Sequence, residues 1–403
     1  MKKIILTLLM LPVAWGYSQQ PVDRLEYSIP GRGFYQKIME DAARETPPAG
    51  TARPVMSNPG KPFPGHPSLY HTLWHQPPLS QGETGTCWCF ASVSFLESEC
   101  KRTTGYEIKL SEMYFVYMEY LERAAEFVRT RGGITFTEGS EASSLPLLLE
   151  KYGALPAGAY PGKPPHNQFH HHRQMISEMQ EYLEHIRYSR AWDEASVTKV
   201  IRSILDHHMG PPPLDFVMGG RRFTPRQFAS EVFKLNPRDY VHFMSNLRQP
   251  QNQRGELTED DNWRRFDEYY NVSVEDFAFL ASYALENGYT VCICGDISEP
   301  GFDRTTGAAR IPDFDIPSSH INAFARELRL YNGTTMDDHC MHLVGVTRQN
   351  GAYWFLTKDS GAGGFDTPSP GYRFLHEDYI RLKMMNLMMH KEAARPVLNR
   401  IIK

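Results

Sequence analysis

Several things are scarce in this chain of 403 residues, and each scarcity excludes something. The six cysteines are too few and too scattered for a disulfide scaffold. No pair of them has the two-to-four-residue separation that zinc sites use, so neither a structural metal nor a cofactor is expected. Cys292 and Cys294 alternate along an apparent strand and face one way, which suits packed thiols better than a bridge. Charge of one sign is also lacking: 43 Lys and Arg stand against 47 Asp and Glu, which leaves no electrostatic footprint for nucleic acid or an anionic membrane. Long apolar runs are absent. The one candidate, Ile4 to Trp15, is too short to span a bilayer comfortably.

That run has another reading. Met1-Lys2-Lys3 supplies a charged start, and the small residues Gly16 and Ser18 suit cleavage after Ser18, so residues 1–18 read as a signal peptide. No cysteine follows the cleavage point, so no lipoprotein anchor is expected. The protein should be exported, to a bacterial periplasm or beyond.

Proline and glycine crowd residues 19–65, from Pro30-Gly31 to Pro64-Gly65, with only Tyr35 to Arg44 helical in pattern; this reads as an extended arm over the body, a partly disordered leader or a short removable pro-segment. Residues 66–161 are helical, with helices predicted after Cys87, over Ser111–Arg129 and over Glu141–Tyr152. Residues 162–265 read as a charged helical insertion, including Pro225–Lys234 and Pro237–Asn246, with the His170-His171-His172 run as a solvated helix start. Residues 266–403 turn to strands: Tyr289–Cys294, Asp338–Val346, Ala352–Lys358, then Gly371–Phe374 and Asp378–Arg381.

The richest stretch is Gln81-Gly82-Glu83-Thr84-Gly85-Thr86-Cys87-Trp88. A Gly-rich loop runs into Cys87, and Cys89, Val93, Leu96 and Cys100 then recur as one helical stripe. Cys87 therefore falls at a helix start, where unpaired N–H groups favour a negative charge and a thiolate forms more readily. Gln81 can fold back to add its amide to the Cys87 N–H as a second oxyanion donor. The Gly85-Thr86-Cys87-Trp88 order resembles the signature of papain-like cysteine peptidases. Thr84 stands where secreted members carry a disulfide cysteine.

A nucleophilic cysteine needs a base and a group to orient that base. His339 opens an apolar strand, His339-Cys340-Met341-His342-Leu343-Val344-Gly345, and matches the family's histidine segment. His342 should face the other way. Lys358-Asp359-Ser360-Gly361 stands where papain-like enzymes have Lys-Asn-Ser-Trp-Gly. Asp359 thus replaces an asparagine, and the tryptophan that shields the bond to histidine is missing, which should leave the pair wetter. His339 and Asp359 lie much further beyond Cys87 than the roughly 130–150 residues of papain types; residues 162–265, as an insertion, account for the surplus.

The Leu110-Ser111-Glu112 helix start, Glu150-Lys151-Tyr152-Gly153, Tyr160-Pro161 and Gly295-Asp296-Ile297-Ser298-Glu299 together resemble the bleomycin hydrolase and aminopeptidase C branch. The resemblance implies a two-domain papain-like α+β fold: a helical half with Gln81 and Cys87, and an antiparallel sheet half with His339 and Asp359. It implies peptide substrates, cleavage of peptide bonds through an acyl-enzyme, an aminopeptidase habit set by the chain's own tail, and assembly into homo-oligomers. This chain ends Leu398-Asn399-Arg400-Ile401-Ile402-Lys403, without that branch's usual tail. A non-catalytic scaffold of the same fold and a cysteine-dependent acyl transferase remain alternatives at this level.

Overall fold

The computed structural model describes residues 22–29, 31, 33–42, 52–57 and 60–402; the signal peptide reading over 1–18 lies outside them. Helix α1 spans Gly33–Asp41, α2 Cys87–Thr104, α3 Glu112–Arg129 and α4 Ser144–Tyr152. Ser111 caps α3 by accepting from the Tyr114 N–H at 3.2 Å, and Gly105 ends α2 with φ at +80°. Among the described residues, no helix is long and apolar enough to cross a membrane.

α2 organises the rest. The single apolar stripe expected of it gives way to a helix buried on all sides from Trp88 to Cys100. One side packs into an aromatic-rich core with α3, including Phe95, Phe115, Tyr117 and Tyr120. The other side lies on the sheet, where its polar residues find partners: Ser94 Oγ is 2.8 Å from His342 Nδ1, and Ser92 Oγ is 3.7 Å from Cys292 Sγ. Polar groups buried this deeply are costly unless paired, and these are paired.

The sheet has ten strands among the described residues. His339–Gln349 lies near its middle, between Ala352–Lys358 and Val291–Gly295, and both pairings are antiparallel. Two pairings are parallel, Ala308–Ala309 with Tyr372–His376 and Tyr240–Met244 with Tyr269–Asn271, so the sheet is mixed rather than purely antiparallel. A second apolar core fills its other face around Phe277, Leu280, Met341 and Leu387.

Three expectations need correction. Pro237–Asn246 is not a helix. After one short turn, Tyr240–Met244 joins the sheet beside Met384–His390, as its aromatic and branched residues favour. Gln253–Gly255 also pairs into this sheet, so residues 162–265 are not helical throughout. Asp378–Arg381 lies in a helix, Glu377–Lys383, capped by His376, and the next strand is Met384–His390. Finally, Cys294 is disulfide-bonded to Cys340 while Cys292 stays a buried thiol. Strand register places Cys340 directly opposite Cys294, a pairing that spacing along the chain does not reveal.

Candidate active site

Cys87 is the first residue of α2. Its N-cap, Thr86, makes no side-chain capping bond, so the helix mouth keeps N–H groups for another acceptor. The thiol is half-buried, whereas Cys89 and Cys100 on the same helix are buried. His339 comes from the opposite half, at the first position of its strand. Its Nε2 lies 2.8 Å from Asp359 Oδ1, and the ring lies within interaction range of the Cys87 sulfur. With Nε2 engaged, the nitrogen left for sulfur is Nδ1.

Burial works against a charged imidazole, yet the Cys87 sulfur and the Asp359 carboxylate outweigh it and hold His339 well above its ordinary pKa. Asp359 moves the other way. Its burial favours the neutral acid, but His339, Arg373 and the Gly361 N–H together keep it ionised, far below the usual carboxylate range. The arrangement favours an imidazolium at His339, facing the Cys87 sulfur.

The absent tryptophan does not leave this pair wet. His339 is 6% exposed and Asp359 3%. A short turn over Ala362–Asp366 closes over the carboxylate so tightly that a Cβ on Gly364 would lie 2.7 Å from Asp359 Oδ2. Behind it Arg373 donates from Nε to Asp359 Oδ2 at 3.1 Å and stacks its guanidinium over Phe302. Arg373 was not singled out from the sequence. The available sign was an arginine amid the apolar strand Tyr372-Arg373-Phe374-Leu375, which must either face water or find a buried anion.

Gln81 is tied to the second half. Its N–H donates to the Ser360 carbonyl at 2.9 Å, and its Oε1 accepts from Ser360 Oγ at 2.7 Å. One N–H of its amide goes to the Thr84 carbonyl at 2.6 Å; an amide carries two such donors, so one is left over. Asp359 and Ser360, adjacent in one turn, thus fix the histidine and the glutamine respectively. The His170–His172 run is not solvated. His172 is buried against Tyr120 and Glu138, His171 Nε2 meets Asp41 at 2.9 Å, and burial lowers His170 to about 3. The run braces the loop before Cys87: Glu83 N–H donates to the His170 carbonyl at 2.8 Å, and Gly82 passes so close, with φ at +71°, that a side chain would strike it.

A cavity of about 660 Å³ lies beside this loop, lined by Gln81, Gly85, Glu138, Arg173, Tyr35 and Ala362 among others. Asp296, a tempting carboxylate, is a turn former: its Oδ1 accepts from the Ser298 N–H and hydroxyl.

No protein-family model matches the chain. It is 21% identical to aminopeptidase C of Lactococcus lactis subsp. cremoris over 89% of this chain and 92% of that one. It is 22% identical to mitochondrial cysteine proteinase 1 of Saccharomyces cerevisiae (strain JAY291), over 67% of this chain and 65% of the relative. A 67-residue stretch is 39% identical to cathepsin K of Gallus gallus, covering 14% of this chain and 20% of that one. Among solved structures, PepW from Lactobacillus rhamnosis HN001 superposes with a TM-score of 0.66 at 17% identity, over 84% of this chain and 85% of that chain. The fold is papain-like. Its sequence relatives are cysteine peptidases, and the α2-on-sheet arrangement brings Cys87 within interaction range of His339, which is hydrogen-bonded to Asp359.

Proposed function

We propose that this protein is an exported cysteine peptidase, aminopeptidase-like in its family ties, that hydrolyses peptide bonds through a Cys-His-Asp site. The Cys87 thiolate adds to the substrate carbonyl. The Cys87 N–H and the spare amide proton of Gln81 receive the oxyanion. His339, oriented by Asp359, gives its proton to the leaving amine and then takes one from the water that opens the acyl-enzyme. Export follows the reading of residues 1–18, and peptides outside the inner membrane are the substrates.

One observation carries the reading: the Cys87 to His339 to Asp359 row stands at an uncapped helix mouth, with the charge on His339 held by both neighbours. Labelling with an epoxide-type thiol inhibitor followed by peptide mapping should place the label on Cys87 alone. Cys87→Ala should lose both label and turnover, a drop of about 10⁴-fold or more. Turnover surviving in Cys87→Ala, or label on a different cysteine, removes the reading.

A further inference from the structure

Four carboxylates converge from three segments: Glu141 just before α4, Asp337 just before the His339 strand, and Glu259 with Asp261 from the loop after Gln253–Gly255. Asn386 Nδ2 bridges two of them, lying 3.0 Å from Glu141 Oε2 and 2.7 Å from Asp337 Oδ2. The Asp337 backbone N–H lies near the Glu259 carboxylate and lowers its pKa against burial, which raises it. Asp261 lies hard against the backbone of Gly139, two residues before Glu141.

Glu141 is 1% exposed, and its second oxygen, Oε1, is buried with no hydrogen-bond partner among the described residues. A buried acceptor without a donor is costly. Arg123 faces Asp261 and Arg248 faces Glu259; the main influences on Glu141 and Asp337 are burial, other carboxylates and the Asn386 amide. Burial and the neighbouring carboxylates push Glu141 up to about 8, against the opposing pull of the Asn386 amide, and push Asp337 well above its usual range. Asp337, Glu259 and Asp261 are each half-buried, so the cluster reaches solvent. Cys87 lies within electrostatic range of Asp337.

We infer that Glu141 and Asp337, held by Asn386, form a subsite that receives a cationic nitrogen of the peptide, an ammonium or guanidinium, beside Cys87. This rests on the peptidase reading of the same site. The cation supplies the missing donor to Glu141 Oε1 and the missing positive charge to both acids. A metal suits the place poorly. The third group within 4.8 Å of the two carboxylates is the Cys294 sulfur, which the disulfide to Cys340 removes as a thiolate ligand, leaving only two anionic ligands.

The test uses the full chain and matched peptides carrying arginine or citrulline at one position at a time, each with a free or an acetylated N-terminus. The expected result is a kcat/KM ratio of charged to neutral partner of about tenfold or more at one position, reduced about tenfold in Glu141→Gln and in Asp337→Asn. Loss of the preference on acetylation assigns the nitrogen to the peptide's own terminus; loss on citrulline substitution assigns it to a side chain. Cys87→Ala protein should likewise bind the charged peptide more tightly by fluorescence anisotropy, a readout independent of turnover. Hydrolysis without any charge preference, or a preference unmoved in both variants, overturns the subsite while leaving the peptidase standing. Binding preference with no hydrolysis of any peptide keeps the subsite and removes the peptidase. Equal binding of both partners by the Cys87→Ala protein overturns the subsite.

Discussion

Asp359 and Glu141 are both carboxylates sealed from solvent, 3% and 1% exposed, yet they sit in opposite charge states. Asp359 faces His339 and Arg373 and is held ionised. Glu141 faces Asp261, Glu259 and an amide, and is held neutral up to about 8. Burial pushes both the same way; the neighbours decide the outcome. One acid is finished by the fold, and the other waits for a partner.

The largest effect that could break this contrast is at Arg373. Arg373→Met leaves the buried Asp359 with His339 as its remaining cation and should cost about 3–5 kcal/mol in urea unfolding, with a matching fall in kcat. Asp359→Asn, which puts back the asparagine that papain-like enzymes carry at this place, should also destabilise here because it strands the buried arginine. The double variant Asp359→Asn/Arg373→Met should recover most of the loss. If the two single changes simply add, the neutralising role assigned to Arg373 is wrong.

The same chemical change at Glu141 should act in the opposite direction. Its folded-state pKa lies above the unfolded value of about 4.3, so between these values the folded state holds the extra proton and stability falls as pH rises. Glu141→Gln should therefore lose less stability than the parent between pH 5 and 8, the gap being on the order of 1–3 kcal/mol. His339, with its raised pKa, adds a fall of its own above about 6.5, but this is common to both proteins and cancels in the difference. Asp359, depressed in the folded state, contributes stability that is lost only in strong acid, below this window. Parallel curves for parent and variant would count against a neutral Glu141.

The smallest expected effect is Ser360→Ala, which removes the hydroxyl that holds Gln81 Oε1. It should cost about 1 kcal/mol of transition-state stabilisation, seen in kcat rather than KM. An equal change in both constants would mean that Ser360 does not act through Gln81.

The sequence discloses one side of this comparison and hides the other. Cys87, His339 and Asp359 each stand where a loop meets a regular element, and each carries a local signature that can be read without the fold. Arg373 carries a weaker sign, a lone charge in an apolar strand. Glu141, Asp337 and Asn386 carry none: they meet only because a pre-helix loop, a pre-strand loop and a strand close on the same end of the sheet. Cys294 and Cys340 were hidden for the same reason, since register across strands is a three-dimensional fact. Tyr240–Met244 reads as helix from the sequence because its charged surroundings mask a short run whose place in the sheet comes from distant partners.

α1 has a consequence of its own. Phe34 stacks on Phe365, in the turn that closes over Asp359, and meets Phe169 edge-on from beside the histidine run; Asp41 then accepts from the Phe169 and Gln168 N–H groups. The arm thus clasps the two sides of the loop that runs into Cys87. Because it is tethered, its hold depends on a high local concentration that vanishes once the chain is severed between arm and body. A nick there would turn a permanent brace into a dissociable peptide, and the freed Phe169 and Phe365 would become two empty aromatic seats at the rim of the site.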